Sequence, residues 1–442
     1  MAVLFHSVRL DADKCQGCTN CIKRCPTQAI RVRNKKAYII SDRCIDCGEC
    51  IRVCPHHAKY AVSEHFNELI NYKYRIALPA PALYGQFNNL ENVDYVLTAL
   101  KKMGFDDVVE VSKGAELISA ATRAMMDGGE LQKPVISSAC PAVVRLIRTR
   151  FPNLIGNLLP MCAPIDIASK IARSKAKKET GYKDEEIGVF FITPCPAKRT
   201  AIKSPLCHDN YGINGAIAMK DIYPVLVQTM DKLKNEEIEP INDSGIIGVS
   251  WASSGGEASG LLKERYLAAD GIENVINVLE ELEDEKLNDL DFIELNCCTG
   301  GCVGGVLTVE NPYVAKARLQ RLRKFMPVSC NSLGDSFNWD DVSWTKELTP
   351  SPAMKLADNV IKAMRMMTRL KEIEASLPGL DCGICGAPSC RALAEDIVKG
   401  YAEETDCVLH NIQVGGSDDW LPAPFRVKVM NEDVSEEKTD EG

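Results

Sequence analysis

The chain is rich in cysteine, and its thiols are clustered. Its 442 residues include 20 cysteines, and three of these fall in the stretch ELNCCTGGCVGG at 294–305. A secreted disulfide protein could hold as many thiols, but such proteins are small and carry signal peptides. In a reducing compartment, closely spaced thiols more often bind metal. The cysteine spacing therefore predicts metal centres.

One cysteine motif, C-x2-C-x2-C-x3-C-P, occurs twice near the start of the chain. Its two copies contain Cys15, Cys18, Cys21 and Cys25, then Cys44, Cys47, Cys50 and Cys54. The spacing is typical of bacterial ferredoxins with two [4Fe-4S] clusters, where the fourth cysteine of each copy ligates the other cluster. We therefore predict that cluster 1 is bound by Cys15, Cys18, Cys21 and Cys54. Cluster 2 would be bound by Cys25, Cys44, Cys47 and Cys50. Zinc, the alternative, usually takes pairs of cysteines.

Another cysteine group lies near the end of the chain, with the spacing C-x2-C-x4-C-x16-C. Its members are Cys382, Cys385, Cys390 and Cys407. The segment resembles the small [4Fe-4S] domain of corrinoid iron–sulfur proteins and of membrane-linked electron-transfer subunits, and a zinc knuckle is the alternative. We expect a long helix over 352–376 before it and a second helix after Cys390.

Residues 68–345 alternate strand-like and helix-like segments, which is typical of an α/β domain with mostly parallel strands. The predicted strands, rich in valine and isoleucine, lie within 106–112, 134–140, 186–195, 245–252 and 290–298. The predicted helices include 142–151, 220–233 and 258–269. Cysteines follow several of these strands, and open α/β sheets place their sites at the carboxyl ends of strands.

Three loops of this domain carry cysteines: SSACPAVV at 137–144, ITPCPAKR at 192–199 and ELNCCTGGCVGG at 294–305. In this order, behind the repeated motif, they resemble the signature loops of the [FeFe]-hydrogenase family. Those loops end in Cys-Cys-Pro, read Pro-Cys-x-x-Lys, and read Glu-x-x-x-Cys-x-x-x-Cys-x-x-Gly. The resemblance covers residues 1 to about 330. It implies an α+β ferredoxin module, then a two-lobed α/β catalytic domain, followed here by the small C-terminal Fe-S domain.

The resemblance also implies the H-cluster, a [4Fe-4S] cubane joined to a two-iron unit with carbon monoxide, cyanide and azadithiolate ligands. The cubane ligands would be Cys140, Cys195, Cys298 and Cys302. Cys302 would also bridge to the two-iron unit, which dedicated maturation proteins must supply. The chain would then hold four [4Fe-4S] clusters.

Other pocket residues follow from the same resemblance. Lys198 would hydrogen-bond one cyanide, as suits a compact cation facing an anionic ligand. The backbone of Pro81 and Ala82 would contact the other cyanide. Ser254 and Gly255 would belong to a glycine-rich wall of the pocket.

Several positions depart from the family pattern where protons are normally relayed. Ala139 stands where fast hydrogenases have a second cysteine, which receives the proton from the bridging amine. Ala201 replaces a relay glutamate, and the remaining acidic relay positions fall on Thr122 and Met125. Alanine and methionine side chains cannot transfer protons. The ligands are thus kept, while the usual proton relay is lost.

Three further residues are unusual for the family. Thr193 and Asn296 replace methionines that pack against the iron carbonyls, so hydrogen bonding around the cofactor would change. Cys297 is an uncommitted thiol. Its plainer interpretation is a packed free cysteine; the alternative is that it tunes the cofactor or replaces the relay thiol missing at Ala139.

This pattern resembles the low-activity, sensory branch of the family that lacks a PAS domain. We expect slow reversible H2 oxidation and proton reduction, with electrons passing through the accessory clusters to an electron-transfer or signalling protein. A metabolic hydrogenase with a non-standard proton path is one alternative. A non-catalytic iron–sulfur protein of the same fold is the other.

The predicted domains are the ferredoxin-like domain (1–62), the H-cluster domain (68–345), the linker helix with the C-terminal cluster domain (350–415), and a flexible acidic tail (416–442). A net charge of −9 argues against nucleic-acid binding. The N-terminus lacks the features of a signal peptide, and no apolar run is long enough to span a membrane. We therefore expect a cytoplasmic protein without membrane insertion.

Overall fold

The computed structural model describes residues 5–334, 337–351, 356–357 and 359–409. The chain forms two compact units, and the boundary between them falls between residues 355 and 356. The acidic tail predicted at 416–442 lies outside the described residues.

Eleven strands and fourteen α-helices lie in the described part of the chain. The strands are β1 (Val8–Leu10), β2 (Ile30–Arg33), β3 (Lys36–Ile39), β4 (Lys59–Ala61), β5 (Tyr74–Pro79), β6 (Asp107–Val108), β7 (Val135–Ile136), β8 (Ile187–Thr193), β9 (Gly215–Ala218), β10 (Tyr266–Asp270) and β11 (Phe292–Asn296). The helices are α1 (Asn20–Lys23), α2 (Glu49–Arg52), α3 (Asp94–Lys102), α4 (Val111–Gly128), α5 (Pro141–Arg150), α6 (Pro164–Thr180), α7 (Pro196–Lys203), α8 (Met219–Met230), α9 (Ile246–Ser250), α10 (Gly256–Gly260), α11 (Ile272–Glu283), α12 (Pro312–Leu322), α13 (Val360–Ser376) and α14 (Cys390–Val398).

The N-terminal module is built from two antiparallel strand pairs and two one-turn helices. β1 pairs with β4, and β2 pairs with β3 from Ile30 opposite Ile39 to Arg33 opposite Lys36. The turn at Asn34 and Lys35 has left-handed backbone at both residues, which is the geometry that tight hairpins prefer. Each of α1 and α2 contains one cysteine of the repeated motif.

Two parallel sheets form the middle of the chain. The first has four strands in the order β6-β5-β8-β9, and the second has three in the order β10-β11-β7. All seven residues of β8 are buried, as expected for a central strand covered on both faces. The predicted α+β module and two-lobed α/β domain are confirmed.

One predicted strand is wrong. Residues 245–252 contain the short helix α9, not a strand. A Cβ added to Gly248 would lie 2.2 Å from the carbonyl oxygen of Ser112, so this glycine lets α9 pack directly on the start of α4. This packing overrides the strand preference of the valine and isoleucines in the run.

One predicted helix is also wrong, since residues 258–269 hold only the end of α10 before the chain becomes extended. Leu262 has a left-handed φ of 55°, which interrupts the helix. Beyond it, Tyr266–Asp270 pairs in parallel with Phe292–Asn296. The open edge of β11 supplies these hydrogen bonds, and local sequence does not reveal such an edge.

Polar contacts dock the N-terminal module on helix α7. Arg199 Nη2 lies 2.7 Å from Glu64 Oε1, and both side chains are nearly buried. Thr200 Oγ1 donates to Asp46 Oδ2 at 2.7 Å, while Asp46 Oδ1 accepts the backbone N–H groups of Ser7 and Val8. Because Asp46 precedes Cys47, the second cysteine copy is held in a fixed place beside α7.

The C-terminal unit is a pair of packed helices with a cysteine-bearing loop. α13 and α14 bury Leu370, Ile373 and Leu393 between them. The helix predicted from residue 352 begins at Val360, where Asn359 Oδ1 accepts the N–H of Lys362 at 3.1 Å. Residues 352–355 and 358 of that prediction lie outside the described residues. Among the helices described, none combines the length and apolarity needed to cross a membrane.

Candidate metal centre

The ends of several parallel strands meet at one cavity of about 90 Å³. It lies where the loops after β5, β7, β8 and β11 come together. Its lining is mostly apolar but includes four of the predicted ligands: Cys140, Cys195, Cys298 and Cys302. The structure thus brings the cysteines of the three signature loops to one place.

Cys140 and Cys195 are positioned by the same local arrangement at the start of a helix. Each is the N-cap residue of a helix whose first residue is proline, Pro141 in α5 and Pro196 in α7. Proline suits this position because its φ is helical and its missing N–H costs no helical hydrogen bond. Both sulfurs therefore sit at helix N-termini, where the helix dipole favours negative charge.

The third loop turns through glycines before Cys302. Gly301 has a φ of +90°, and a Cβ there would lie 2.4 Å from the backbone nitrogen of Ser254. Gly305 makes a second close approach, 2.3 Å from its virtual Cβ to the carbonyl oxygen of Pro194. Only glycine fits at these points, so the third loop is pressed against the loop that carries Cys195.

Three thiols of this cavity, those of Cys140, Cys195 and Cys302, are poorly placed to ionise alone. Burial is the largest cause that raises the pKa of Cys140, Cys195 and Cys302, and for Cys302 the pKa reaches about 12. Neighbouring thiols raise the pKa of each further. A bound iron–sulfur cluster would supply the positive charge that stabilises such thiolates. The four predicted ligands, among the six free cysteines that line this cavity, thus fit a cubane.

Most of the other predicted pocket residues line the same cavity. Lys198 Nζ donates to the carbonyl oxygen of Ala139 at 2.7 Å, and both residues belong to the lining with Pro81 and Ala82. Asn296 also lines the cavity. The ammonium group is therefore held at the cavity wall by a residue of the first loop.

Three predicted pocket residues do not line the cavity but hydrogen-bond to the loops that do. Thr193 Oγ1 accepts the N–H of Cys195 at 3.1 Å and so fixes the second loop. The N–H of Ser254 donates to Gly300 O, and that of Gly255 donates to Glu294 Oε1, both at 3.0 Å. Ser254 and Gly255 therefore hold the third loop in place through these two hydrogen bonds.

The repeated motif forms two smaller cavities, each lined by four cysteines. Cys15, Cys18, Cys21 and Cys54 line the first, while Cys25, Cys44, Cys47 and Cys50 line the second. In both, the fourth cysteine comes from the other copy. Cys47 also lines the large cavity, so the second set of thiols adjoins it.

The C-terminal unit has a cavity of its own. It is lined by Cys382, Cys385, Cys390 and Cys407. Asp381 Oδ1 accepts the N–H of Cys390 at 2.6 Å, and Ser389 caps α14 through the N–H of Ala392. The loop is thus tied to the start of the helix that follows it.

Two buried carboxyl groups at the large cavity were missed by sequence reasoning. Glu257 and Glu294 both line it and are almost inaccessible to solvent. Ser137 Oγ donates to Glu257 Oε2 at 2.6 Å, while Glu294 accepts hydrogen bonds from Ala258 N and Asn296 Nδ2 at 2.9 and 2.6 Å. A glutamate inside the apolar strand FIELN was a signal that could have been followed.

Of these two carboxyl groups, Glu257 holds a proton near neutral pH. Burial, and then the charge of Glu294, raise the pKa of Glu257 to about 8. Burial also raises the pKa of Glu294, against the hydrogen bonds that it accepts. A carboxyl group protonated at neutral pH can give and take protons at the cavity wall.

A second cavity of about 80 Å³ shares Ala139 and Lys198 with the first and also contains the predicted relay position Ala201. Asp166 and His208 line it, with 3.4 Å between Asp166 Oδ2 and His208 Nε2. Burial raises the pKa of Asp166.

The other predicted relay positions, Thr122 and Met125, line neither of these two cavities. Thr122 Oγ1 donates to the carbonyl oxygen of Ile118 within α4 at 2.8 Å. Met125 packs against an apolar cluster.

Comparison with known proteins agrees with this architecture. The family model described as iron only hydrogenase large subunit, C-terminal domain, matches residues 73–268 and 257–306. A 4Fe-4S dicluster domain matches 7–55, and an Fe-S cluster segment matches 377–409. The hydrogenase model covers more than half of the chain, and the chain belongs to the [FeFe]-hydrogenase family.

Individual relatives are more distant. The chain is 22% identical over 286 residues to iron hydrogenase 1 of Clostridium pasteurianum, covering 53% of this chain and 50% of that protein. It is 29% identical over 218 residues to the periplasmic [Fe] hydrogenase large subunit of Nitratidesulfovibrio vulgaris, covering 44% of this chain and 51% of that one. The chain thus spans about half the length of these relatives.

Two further likenesses are weaker. The chain is 24% identical over 209 residues to the cytosolic Fe-S cluster assembly factor NAR1 of Scheffersomyces stipitis, covering 40% of this chain and 38% of that one. A solved structure of a variant of the [FeFe]-hydrogenase HydA1 from Chlamydomonas reinhardtii superposes with a TM-score of 0.49 at 14% identity. It covers 65% of this chain and 98% of that one.

Proposed function

We propose that this protein is a slow, reversible [FeFe]-hydrogenase that senses hydrogen or redox state. The observation that carries the proposal is one cavity lined by six free cysteines, among them the four predicted cubane ligands, together with Lys198 and two buried glutamates. When bound, the H-cluster would supply the metal site at which H2 and protons interconvert. Residues of the chain would bind and orient this cofactor, exclude water from it and hold the protons.

Cys140, Cys195, Cys298 and Cys302 would hold the cubane, and Cys302 would carry the two-iron unit. Lys198 is fixed by its hydrogen bond to Ala139 and would orient a cyanide ligand. The apolar walls near Ala82 and Trp251 would exclude water. These tasks are to bind and orient, and each falls on a residue that lines the cavity.

Electrons would leave through the N-terminal module. Cys47 lines both the second small cavity and the large one, so cluster 2 would adjoin the cubane and cluster 1 would follow it. A fourth [4Fe-4S] cluster would occupy the C-terminal unit. The electron acceptor would be an electron-transfer or signalling protein.

Protons would be held by Glu257 instead of the missing thiol at Ala139. The Glu257 carboxyl group hydrogen-bonds to Ser137, whose Oγ also accepts the N–H of Ala139 at 3.2 Å. The carboxyl group thus lies on the wall beside the lost relay position. Loss of the relay thiol at position 139 would slow proton transfer, which supports a sensor more than a metabolic enzyme.

The proposal is tested on the full chain after iron–sulfur reconstitution and addition of a synthetic two-iron complex. We expect carbonyl and cyanide infrared bands together with slow H2 evolution and slow H2 oxidation. Rapid turnover in both directions would favour a metabolic hydrogenase with another proton path. Absence of both the bands and activity would favour the alternative of a non-catalytic iron–sulfur protein of the same fold.

Ala139→Cys is expected to raise H2 turnover about tenfold or more, because a positioned proton donor typically contributes 10²–10⁴-fold. Position 139 lines both cavities, so a thiol there would link the large cavity to Asp166 and His208. H2 evolution under saturating reductant measures the effect. Ala139→Ser is the matched control of similar size. An unchanged rate in Ala139→Cys would place the limiting step elsewhere.

A further inference from the structure

The two cysteine copies of the N-terminal module differ at one buried position. Lys59 follows Cys54 by five positions, and Ile30 follows Cys25 by the same number. Ile30 lines the second small cavity, while Lys59 lines the first. Both residues are almost inaccessible to solvent, with 2% of Ile30 and 3% of Lys59 exposed. A lysine therefore stands beside the predicted cluster 1 where an apolar residue stands beside cluster 2.

The ammonium group of Lys59 is buried without a hydrogen-bond partner among the described residues. Lys59 begins β4 and pairs with Leu10 of β1, which lines the same cavity. A lysine ammonium has three donors and no acceptor, and its burial without a partner is costly in free energy. A bound cluster would supply the acceptors, because a cluster held by four thiolates is an anion that offers several sulfur atoms.

Lys59 is also held next to the ligands of cluster 1. The N–H of the preceding residue, Ala58, donates to the sulfur of Cys54 at 3.3 Å. Burial raises the pKa of Cys21 to about 11, against the nearby positive charge of Lys59. All four of these residues line the first small cavity. The ammonium group thus lies within electrostatic reach of the predicted cluster.

The second small cavity has the opposite charge in its lining. Among the described residues that form it, Asp46 is the charged one, and neither lysine nor arginine is present. Asp46 is 1% exposed and follows Cys44 by two positions, whereas Gly17 follows Cys15 by two positions in the first copy. The two predicted clusters would therefore lie beside charges of opposite sign.

We propose that Lys59 raises the reduction potential of cluster 1 by donating a hydrogen bond from its ammonium group to a sulfur of that cluster. One-electron reduction adds a negative charge to the cluster, and a cation shielded from water stabilises that charge strongly. Net charge and hydrogen bonds to sulfur are among the factors that set cluster potentials. The inference rests on the proposed function, because it requires electrons that leave H2 through cluster 2. Lys59 would draw them on to cluster 1, whose predicted ligand Cys18 is exposed.

The test is a redox titration of the reconstituted full chain, without the two-iron unit, monitored by electron paramagnetic resonance. In Lys59→Met, which keeps an unbranched side chain without the charge, we expect the transition of cluster 1 to move to a more negative potential. The expected shift is about a tenfold change in the reduction equilibrium, or about 59 mV for one electron. Cys18→Ala removes a predicted ligand of cluster 1 and so identifies its transition.

Lys14→Met is the matched control. Lys14 precedes the predicted ligand Cys15, but its side chain is 61% exposed, so water screens its charge. We expect this variant to leave every transition near its position in the unmodified protein.

Two outcomes overturn the inference. One is an unmoved cluster 1 transition in Lys59→Met, and the other is an equal shift in Lys14→Met, which would mean that the overall charge of the module sets the potential. Iron content is measured first. Lys59→Ile, which copies the residue at position 30, replaces the methionine variant if that variant binds less iron.

Failure of the proposed function would look different. The unmodified protein would then lack infrared bands and activity with the two-iron complex, while the cluster 1 transition still moved in Lys59→Met. An active unmodified protein with an unaltered potential in Lys59→Met rejects only the role of Lys59.

Discussion

Replacing Cys302 by alanine is expected to abolish H2 turnover and the carbonyl and cyanide infrared bands together. Cys302 lies just past the Gly300–Gly301 turn, where both glycines have a positive φ. Cys302 is half-buried and lines the cavity with the other cysteines, and desolvation of its thiol raises the pKa to about 12. Without it, the two-iron unit loses its proposed covalent link to the chain.

The measurement combines iron content, infrared spectra and H2 evolution on one preparation. Cys302→Ala should keep the iron of the N-terminal and C-terminal sites, since these have separate cavities. Cys330→Ala is the control, because Cys330 is exposed and does not line the large cavity. Retained bands and turnover in Cys302→Ala would show that the two-iron unit is held in another way.

Glu257→Gln is expected to lower turnover in both directions by about 10²-fold while leaving the infrared bands in place. The amide has the size and much of the hydrogen-bonding capacity of the acid, so Ser137 keeps a partner at position 257. What the amide lacks is a transferable proton. The variant therefore separates proton transfer from cofactor binding, which Cys302→Ala cannot do.

Asp166→Asn provides the contrasting variant. Asp166 lines the second cavity with His208. Replacing its carboxyl group therefore tests a proton route through the second cavity. Turnover that falls in Asp166→Asn and is unchanged in Glu257→Gln would move the proton path to the second cavity. A loss of infrared bands in Glu257→Gln would mean that Glu257 supports the cofactor instead of relaying protons.

The raised pKa of Glu257 also predicts in which direction each H2 reaction rate changes with pH. With its pKa raised to about 8, Glu257 is protonated at neutral pH and loses its proton as the pH rises through that value. H2 evolution, which needs a proton donor, should fall above about pH 8, and H2 oxidation, which needs an acceptor, should rise. Profiles in both directions measure this. In Glu257→Gln the transition should be absent.

The same shift links pH to folding. The pKa of Glu257 is higher in the folded chain than its ordinary value of 4.5, so the folded state binds the proton more tightly. The proton bound by Glu257 stabilises the folded state fully below about pH 4.5, and this stabilisation is lost as the pH rises through about 8.

Much of the architecture could be predicted from local patterns. The strands β8 and β11 and the helices α5 and α8 follow from residue periodicity that tertiary packing did not override. The wrong predictions at 245–252 and 258–269 have one cause. Each run is apolar enough for either conformation, and the choice was made by distant partners, α4 for the first run and the edge of β11 for the second.

By itself, the sequence determined the family and the grouping of the cysteines. Cysteine spacing is a local property, and the four-thiol groups predicted from it each line one cavity. Only the tertiary structure decided which groups face one another across the docked elements. It placed Glu257 and Glu294 on the cavity wall, and it brought Cys47 and Cys297, 250 positions apart in the chain, to the lining of the same cavity. Which residues become neighbours in this way depends on how two sheets and a docked module pack. Residue spacing along a single strand or loop does not determine that packing.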